Sequence, residues 1–377
     1  MSLDISWWAL PGPSRFLDQV EQDLRNGKCV VLSLPKLRPS GLKDALARRV
    51  SESASYTWSS VEELRSSDGL SAPLEVLRDQ FSWAFQRLGV LTVADFSRTE
   101  GLERYVICVD GFGNCDLDAW QAFMLDFEHA SRNLRGDHPR FIYVGPGLDP
   151  ESGVLGAAGI SVRKWRGIVD AVDNWTLVWP QFRHSGMSPF HRRLSASLCV
   201  ELAGPDPELA VHLARFDLGS LLNPMSVLRG YAKERGWEGA TEASWESGTS
   251  DELDGMAVTH TALLAARGEL AEIVRLVWRA EVGVAFPLLE QWRASLAVSM
   301  ARWIRLPLET PFGVISDRND LELSHLLHVS RRSGAPRESV RLLEKLCRVR
   351  HALAHLEPAP VEDLLDAAIA RVPSRSL

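Results

Sequence analysis

CVVLSLPKLRPSGLKDALARRV, residues Cys29 to Val50, is the stretch that decides the fold. A short apolar run, rich in β-branched residues, reads as a buried strand over Lys28 to Leu34. It ends in a loop with two prolines and one glycine, and Leu42 to Val50 then reads as a helix. Strand, loop and helix in this order can cradle a phosphate, because the backbone N–H groups of the loop point at the anion. The motif that does so is GxxxxGK[ST]: glycines for the close wrap, lysine for the β/γ phosphates, a hydroxyl for Mg²⁺. Aligning Gly41 with its second glycine puts Lys36 at the first, Leu42 at the lysine and Lys43 at the hydroxyl. Pro39 removes one more N–H donor. Ser40, Gly41 and Lys43 are therefore the candidate remnants of a nucleotide site that has lost its grip.

The rest of the first half alternates in the same way. Phe16 to Asn26 is a predicted helix ended by Asn26-Gly27, and helices are predicted over Leu74 to Leu88 and Ala119 to Asn133. Arg104 to Val109 and Arg140 to Val144 are predicted buried strands, with Trp175 to Trp179 as a fourth. Apolar strands separated by helices imply a parallel sheet covered on both faces. From Leu194 onward the pattern turns helical: Leu194 to Leu222, Met225 to Arg235, Met256 to Trp278, Ala285 to Trp303, Asp320 to Arg331 and Arg337 to Leu356. Between them, GWEGATEASWESGTSDELDG (236–255) is polar and Gly/Ser-rich, and reads as a linker. The expected organisation is an α/β domain at 1–193, a helical extension at 194–235, a linker at 236–255 and an all-α bundle at 256–377.

Bulk properties narrow the function classes. The chain has 377 residues, 45% of them hydrophobic, and a formal charge of −7, so no whole-protein nucleic-acid footprint is expected. Its five cysteines are scattered with no CxxC pair, which argues for reduced thiols in the cytoplasm and against a zinc site. The N-terminus has no basic region ahead of its apolar residues, which argues against a signal peptide, and no stretch is long and apolar enough for a membrane span. His325 and His328, one turn apart near Glu322, and the acids Asp116, Asp118 and Asp126 near His129 read as polar surface. The glycines of 145–159 lack dinucleotide spacing.

LPGPSRFLDQVEQDLRNGKCVVLSLP (10–35) resembles the entry to the ATPase core of AAA+ and STAND-type proteins, where a short loop and a helix precede the phosphate-loop strand. RYVICVDGFGNCDLDAWQAFMLDFEHASR (104–132) resembles their acidic strand, with Asp110 at the metal-binding position. Gly111 stands where a catalytic glutamate would follow. The resemblance implies a degenerate P-loop NTPase-like domain without ATP hydrolysis, and no cofactor is expected, since ATP or ADP would find few of its usual contacts.

APRESVRLLEKLCRVRHALAHLEPAP (335–360) is the second informative stretch. Leu342, Leu346, Val349, Leu353 and Leu356 step by four, three, four and three and form one narrow apolar stripe. At about 100° per residue His351 falls opposite it, with His355 and Arg348 beside it and Arg350 on the flank. Arg350-His351-Ala-Leu-Ala-His355 resembles the R-[polar]-xxx-H signature of HEPN domains, helical bundles of prokaryotic toxins and antiviral defence proteins. That likeness implies a homodimer through the C-terminal helices and a candidate metal-independent ribonuclease. In it His355 would be general acid/base, Arg350 the phosphate stabiliser and His351 the orienting residue. Arg341, Lys345 and Arg348 would contact RNA, and no metal ligand is expected. The competing expectation is a catalytically inert scaffold that docks a separate partner from the same defence operon.

Overall fold

The structure is a computed structural model that describes residues 7–52, 56–61, 73–85, 91–110, 117–134, 138–145, 159–311 and 313–371. Gly111, Cys115, Asp116 and most of the 145–159 glycine stretch lie outside the described residues, as does the side chain of Asp118. The chain divides into two compact units: residues 1–168 with 244–257, and 169–243 with 258–377.

The first unit is a parallel α/β sheet. Helix α1 (Pro11–Arg25) leads into β1 (Cys29–Ser33), α2 (Leu42–Glu52), β2 (Thr57–Val61), α3 (Pro73–Gln80), α4 (Val93–Ser97), β3 (Tyr105–Asp110), α5 (Leu117–Ser131), β4 (Arg140–Gly145) and β5 (Ile160–Lys164). The five strands lie in the order β2-β3-β4-β1-β5, all parallel. Every residue of β1 and β4 is buried, as continuous apolar strands require when both faces are covered. One face rests on an aromatic cluster in which Phe127 meets Phe141 at 4.9 Å and Phe141 stacks on Tyr143 at 5.4 Å.

The strands differ from the sequence expectation in three places, the first being the edge strand β2 (Thr57–Val61), which was not expected. The fifth strand is Ile160–Lys164, paired with β1 from Cys29↔Ile160 to Ser33↔Lys164. Trp175 to Trp179 is helical instead, within α6 (Ala171–Arg183). Its apolar run looks strand-like, but Asp170 and Asp173 form a reciprocal capping box, with Asp173 N–H donating to Asp170 at 2.9 Å. Val178 and Phe182, four residues apart, are its buried face.

Residues 236–255 also differ from a linker. Ser244 to Thr249 close into a turn: Ser244 N–H donates to Thr249 Oγ1 at 2.9 Å and Thr249 N–H to the Ser244 carbonyl at 3.0 Å. Serine and threonine hydroxyls that bond their own backbone make ordered turns, so a polar composition here does not mean a solvated chain. Trp245 Nε1 donates to the Trp165 carbonyl at 2.9 Å, and a hairpin of β6 (Ser250–Leu253) and β7 (Met256–Thr259) follows.

The second unit is built of helices: α6, then α7 (Pro189–Ala203), α8 (Pro207–Leu213), α9 (Leu218–Leu222), α10 (Met225–Glu234), α11 (Thr261–Arg267), α12 (Leu270–Ser299), α13 (Leu323–Arg332), α14 (Arg337–Ala354), α15 (Val361–Leu364) and α16 (Ala367–Ala370), with a small hairpin of β8 (Leu308–Thr310) and β9 (Gly313–Ile315). The single helix expected over Leu194 to Leu222 is broken into α7, α8 and α9, because Gly204 at positive φ and Pro207 stop and restart it. Asp206 caps α8, its carboxylate accepting four bonds: from the N–H groups of Glu208 and Leu209, from Tyr231 Oη and from His260 Nε2. Against the opposing effect of its partial burial, His260, Tyr231 and the Arg235 charge hold its carboxyl down at about 2.

Candidate functional site

The loop after β1 sits where a sheet of this order offers a crevice. From β1 the chain crosses towards β2 on one side, while from neighbouring β4 it crosses the other way to β5, and ligands of open α/β sheets bind at such a switch point. β4 separates β1 from β3, and its Val144 is level with Asp110, the last residue of β3. A cavity of about 290 Å³ opens there, lined by Arg38, Gly41, Lys43, Cys108, Asp110 and Val144. The sequence-predicted remnants Gly41, Lys43 and Asp110 are thus brought together.

Three backbone positions of the loop have no N–H to offer the cavity. Lys36 N–H, at the first-glycine position, donates to the Glu246 carbonyl at 2.7 Å, while Pro35 and Pro39 have no N–H to give. The Ser40 carbonyl accepts from Trp8 Nε1 at 2.9 Å, which pins the loop from the aromatic group of Trp7, Trp8, Phe16 and Trp165. Gly41 takes φ +70°, the left-handed turn that starts α2, and its carbonyl receives Ala45 N–H at 3.0 Å. Across the cavity mouth the Arg38 guanidinium forms an ion pair with the Asp110 carboxylate. Sequence reasoning missed Arg38, although a cation in a loop facing a strand-ending acid was the available signal. Cys108 beside Asp110 is no nucleophile: burial pushes its thiol up to about 12, and burial does the same at Cys29.

The second candidate is the end of α14. Leu343, Leu346, Val349 and Leu353 are its buried face, close to the predicted stripe. Leu342 is half-buried and Leu356 is exposed, because the helix stops at Ala354 and Leu356 turns to φ +63°. Trp278 Nε1 donates to the Leu353 carbonyl at 2.8 Å, and Ala359 N–H donates to the buried Glu281 carboxylate at 2.7 Å, tying the last turn and the following loop to α12. Burial pushes the Glu281 carboxyl up to about 8, against the smaller opposing effect of that N–H.

His351 and His355 are exposed, with ring centres 4.3 Å apart. The cations expected to serve beside them are paired within the unit. Arg350 faces Glu322 at 2.8 Å, Arg348 holds Asp363 through two bonds of 2.9 and 2.7 Å, and Lys345 is paired with Asp366. Arg341 is exposed on the same helix. The structure brings the two histidines together but turns Arg350 toward the start of α13.

No family model and no curated protein matches the sequence. Among solved structures, the chain is similar to Cdc6p from Pyrobaculum aerophilum at 14% identity, over 96% of this chain and 93% of that one, with a TM-score of 0.36. It is also similar to a chain of the Drosophila ORC assembly bound to poly(dA/dT) DNA and Cdc6 (11% identity, 95% and 74% covered, TM-score 0.29) and to one of Drosophila ORC bound to AT-rich DNA and Cdc6 (12%, 91% and 67%, TM-score 0.32). The chain's own strand order, with the loop after β1 beside the acid ending β3, defines an α/β unit of P-loop ATPase-like layout, joined in sequence to a helical unit. No helix among the described residues is long and apolar enough to cross a membrane.

Proposed function

We propose that the chain is a prokaryotic defence or stress-response protein whose α/β unit is a non-hydrolysing, ATPase-like sensor or scaffold and whose helical unit is a HEPN-like effector or dimerisation module. The observation that carries this reading is the Arg38–Asp110 ion pair. An acid that should hold Mg²⁺ instead faces a guanidinium from the loop, and the lysine that should reach the phosphates is Leu42. Lys36 N–H, at the first-glycine position, is bonded to the Glu246 carbonyl, and Pro35 and Pro39 have no N–H, so three backbone positions of the loop offer a phosphate no donor. The purified protein is expected to release no phosphate from ATP beyond the Asp110→Asn variant. Turnover that Asp110→Asn abolishes would overturn the reading.

The pairing of Lys345, Arg348 and Arg350 with carboxylates favours dimerisation or partner docking as the helical unit's role, with a partner from the same defence operon. A second reading, RNA cleavage, is favoured by the two exposed, adjacent imidazoles, since a ring nitrogen of one can accept a proton while the other donates one. Its test is incubation with total RNA in EDTA, parent beside His355→Ala and Arg350→Ala. Equal cleavage by all three would remove the reading.

A further inference from the structure

His351 and His355 carry a chemistry that does not depend on RNA cleavage. They stand one turn apart at the carboxyl end of an eighteen-residue helix, both exposed, with ring centres 4.3 Å apart and planes tilted at 55°. Other histidines have ring nitrogens held by the protein. His260 bonds Asp206 at 2.9 Å and Ala262 N–H at 3.2 Å, His191 meets the Leu364 carbonyl at 2.9 Å, and His325 accepts Glu322 N–H at 3.1 Å. The rings of His351 and His355 make no such bond among the described residues and touch one another.

We propose that His351 and His355 form a two-nitrogen site for a divalent transition metal of the copper(II) or nickel(II) class. Two imidazoles bound at about 2.0 Å and cis to one another, at about 90°, hold their ring centres about 4.5 Å apart. The observed 4.3 Å is close to that spacing. The site also lies at the negative end of the helix dipole, where a cation is favoured. The Arg350 charge, which would repel a metal, is paired with Glu322. No group of three or more metal-ligating side chains converges among the described residues, so the ion would keep open positions for water or one further ligand. Imidazole with open tetragonal positions selects copper(II) and nickel(II) over the oxygen-preferring magnesium and calcium.

The test is calorimetric titration of the full chain with CuCl₂ and with NiCl₂, beside His351→Ala, His355→Ala and, as control, His325→Ala. One ion per chain is expected, copper tighter than nickel. Affinity should fall about 100-fold when either member of the pair is removed, because the second donor then no longer acts within one molecule. His325→Ala should bind like the parent. Far-UV circular dichroism checks each variant, and His351→Gln, which keeps an exposed polar side chain, replaces any alanine variant that fails to fold. Binding by the His351 and His355 variants that equals the parent's, or no stoichiometric uptake, would overturn the proposal. The RNA assay runs in EDTA, so cleavage and metal uptake fail separately.

Discussion

Across the loop cavity Arg38 faces Asp110 with 31% and 28% of their side chains exposed, whereas at α14 Arg348 meets an Asp363 that is 1% exposed. Both are arginine–carboxylate pairs at places where phosphate chemistry was expected, and water decides how much each matters. The half-exposed pair is screened, so it can part without much cost to the fold and its importance is to the site. The sealed carboxylate depends on its partner, because an unpaired buried charge has no water to fall back on. A cation at the first pair guards a cavity; a cation at the second holds a bundle together.

The sharpest way to break this comparison is to delete both arginines. Arg348→Ala is expected to destabilise by about 3 kcal/mol, since Asp363 is left buried, while Arg38→Ala should cost less than about 1 kcal/mol. Thermal or urea melts measure both, and equal losses would erase the distinction. Next in size is Glu281, the other buried acid beside α14. Its folded value lies near 8, above the ordinary 4.5, so the fold keeps a proton that the unfolded chain releases. Stability from this group is therefore complete below about pH 4.5 and is lost as pH rises towards 8. The melting temperature should fall over that interval, and Glu281→Gln, which still accepts from Ala359 N–H, should flatten the slope. A variant as steep as the parent would exclude Glu281 as the cause. The smallest effect concerns Leu356, whose φ of +63° suits glycine. Leu356→Gly should stabilise by about 0.5–1 kcal/mol, visible as a slightly higher melt with the His351–His355 spacing unchanged.

Where burial and periodicity agree, the sequence is easily read. β1, β3 and β4 are apolar through their centres and were expected within a residue or two, and the helix over 337–354 follows from its leucine spacing. The edge strands were harder: TWSSV and ISVRK carry polar side chains because only part of each is covered. Trp175 to Trp179 misleads because aromatic residues favour strands, and the capping box at Asp170 and Asp173 outweighs them. At the sites, the missing glycine and lysine were legible in the loop, and so was Asp110. The pairing of Arg38 with Asp110, and of Lys345, Arg348 and Arg350 with acids up to 28 residues away, was not. Spacing along a helix says which side chains share a face, but not which carboxylates another helix brings to them.

The loop after β1 donates Lys36 N–H to the Glu246 carbonyl, and the Trp165 carbonyl receives the indole N–H of Trp245. On the ribosome this sets an order of events. All five strands of the sheet have been made by Lys164, yet the segment that closes over the loop, residues 244–257, is translated only after the first helices of the second unit. Domains tend to fold from the N-terminus as they emerge. Here the sheet is the first part made but not the first part finished, and a nascent chain stalled before residue 244 would present the loop still open.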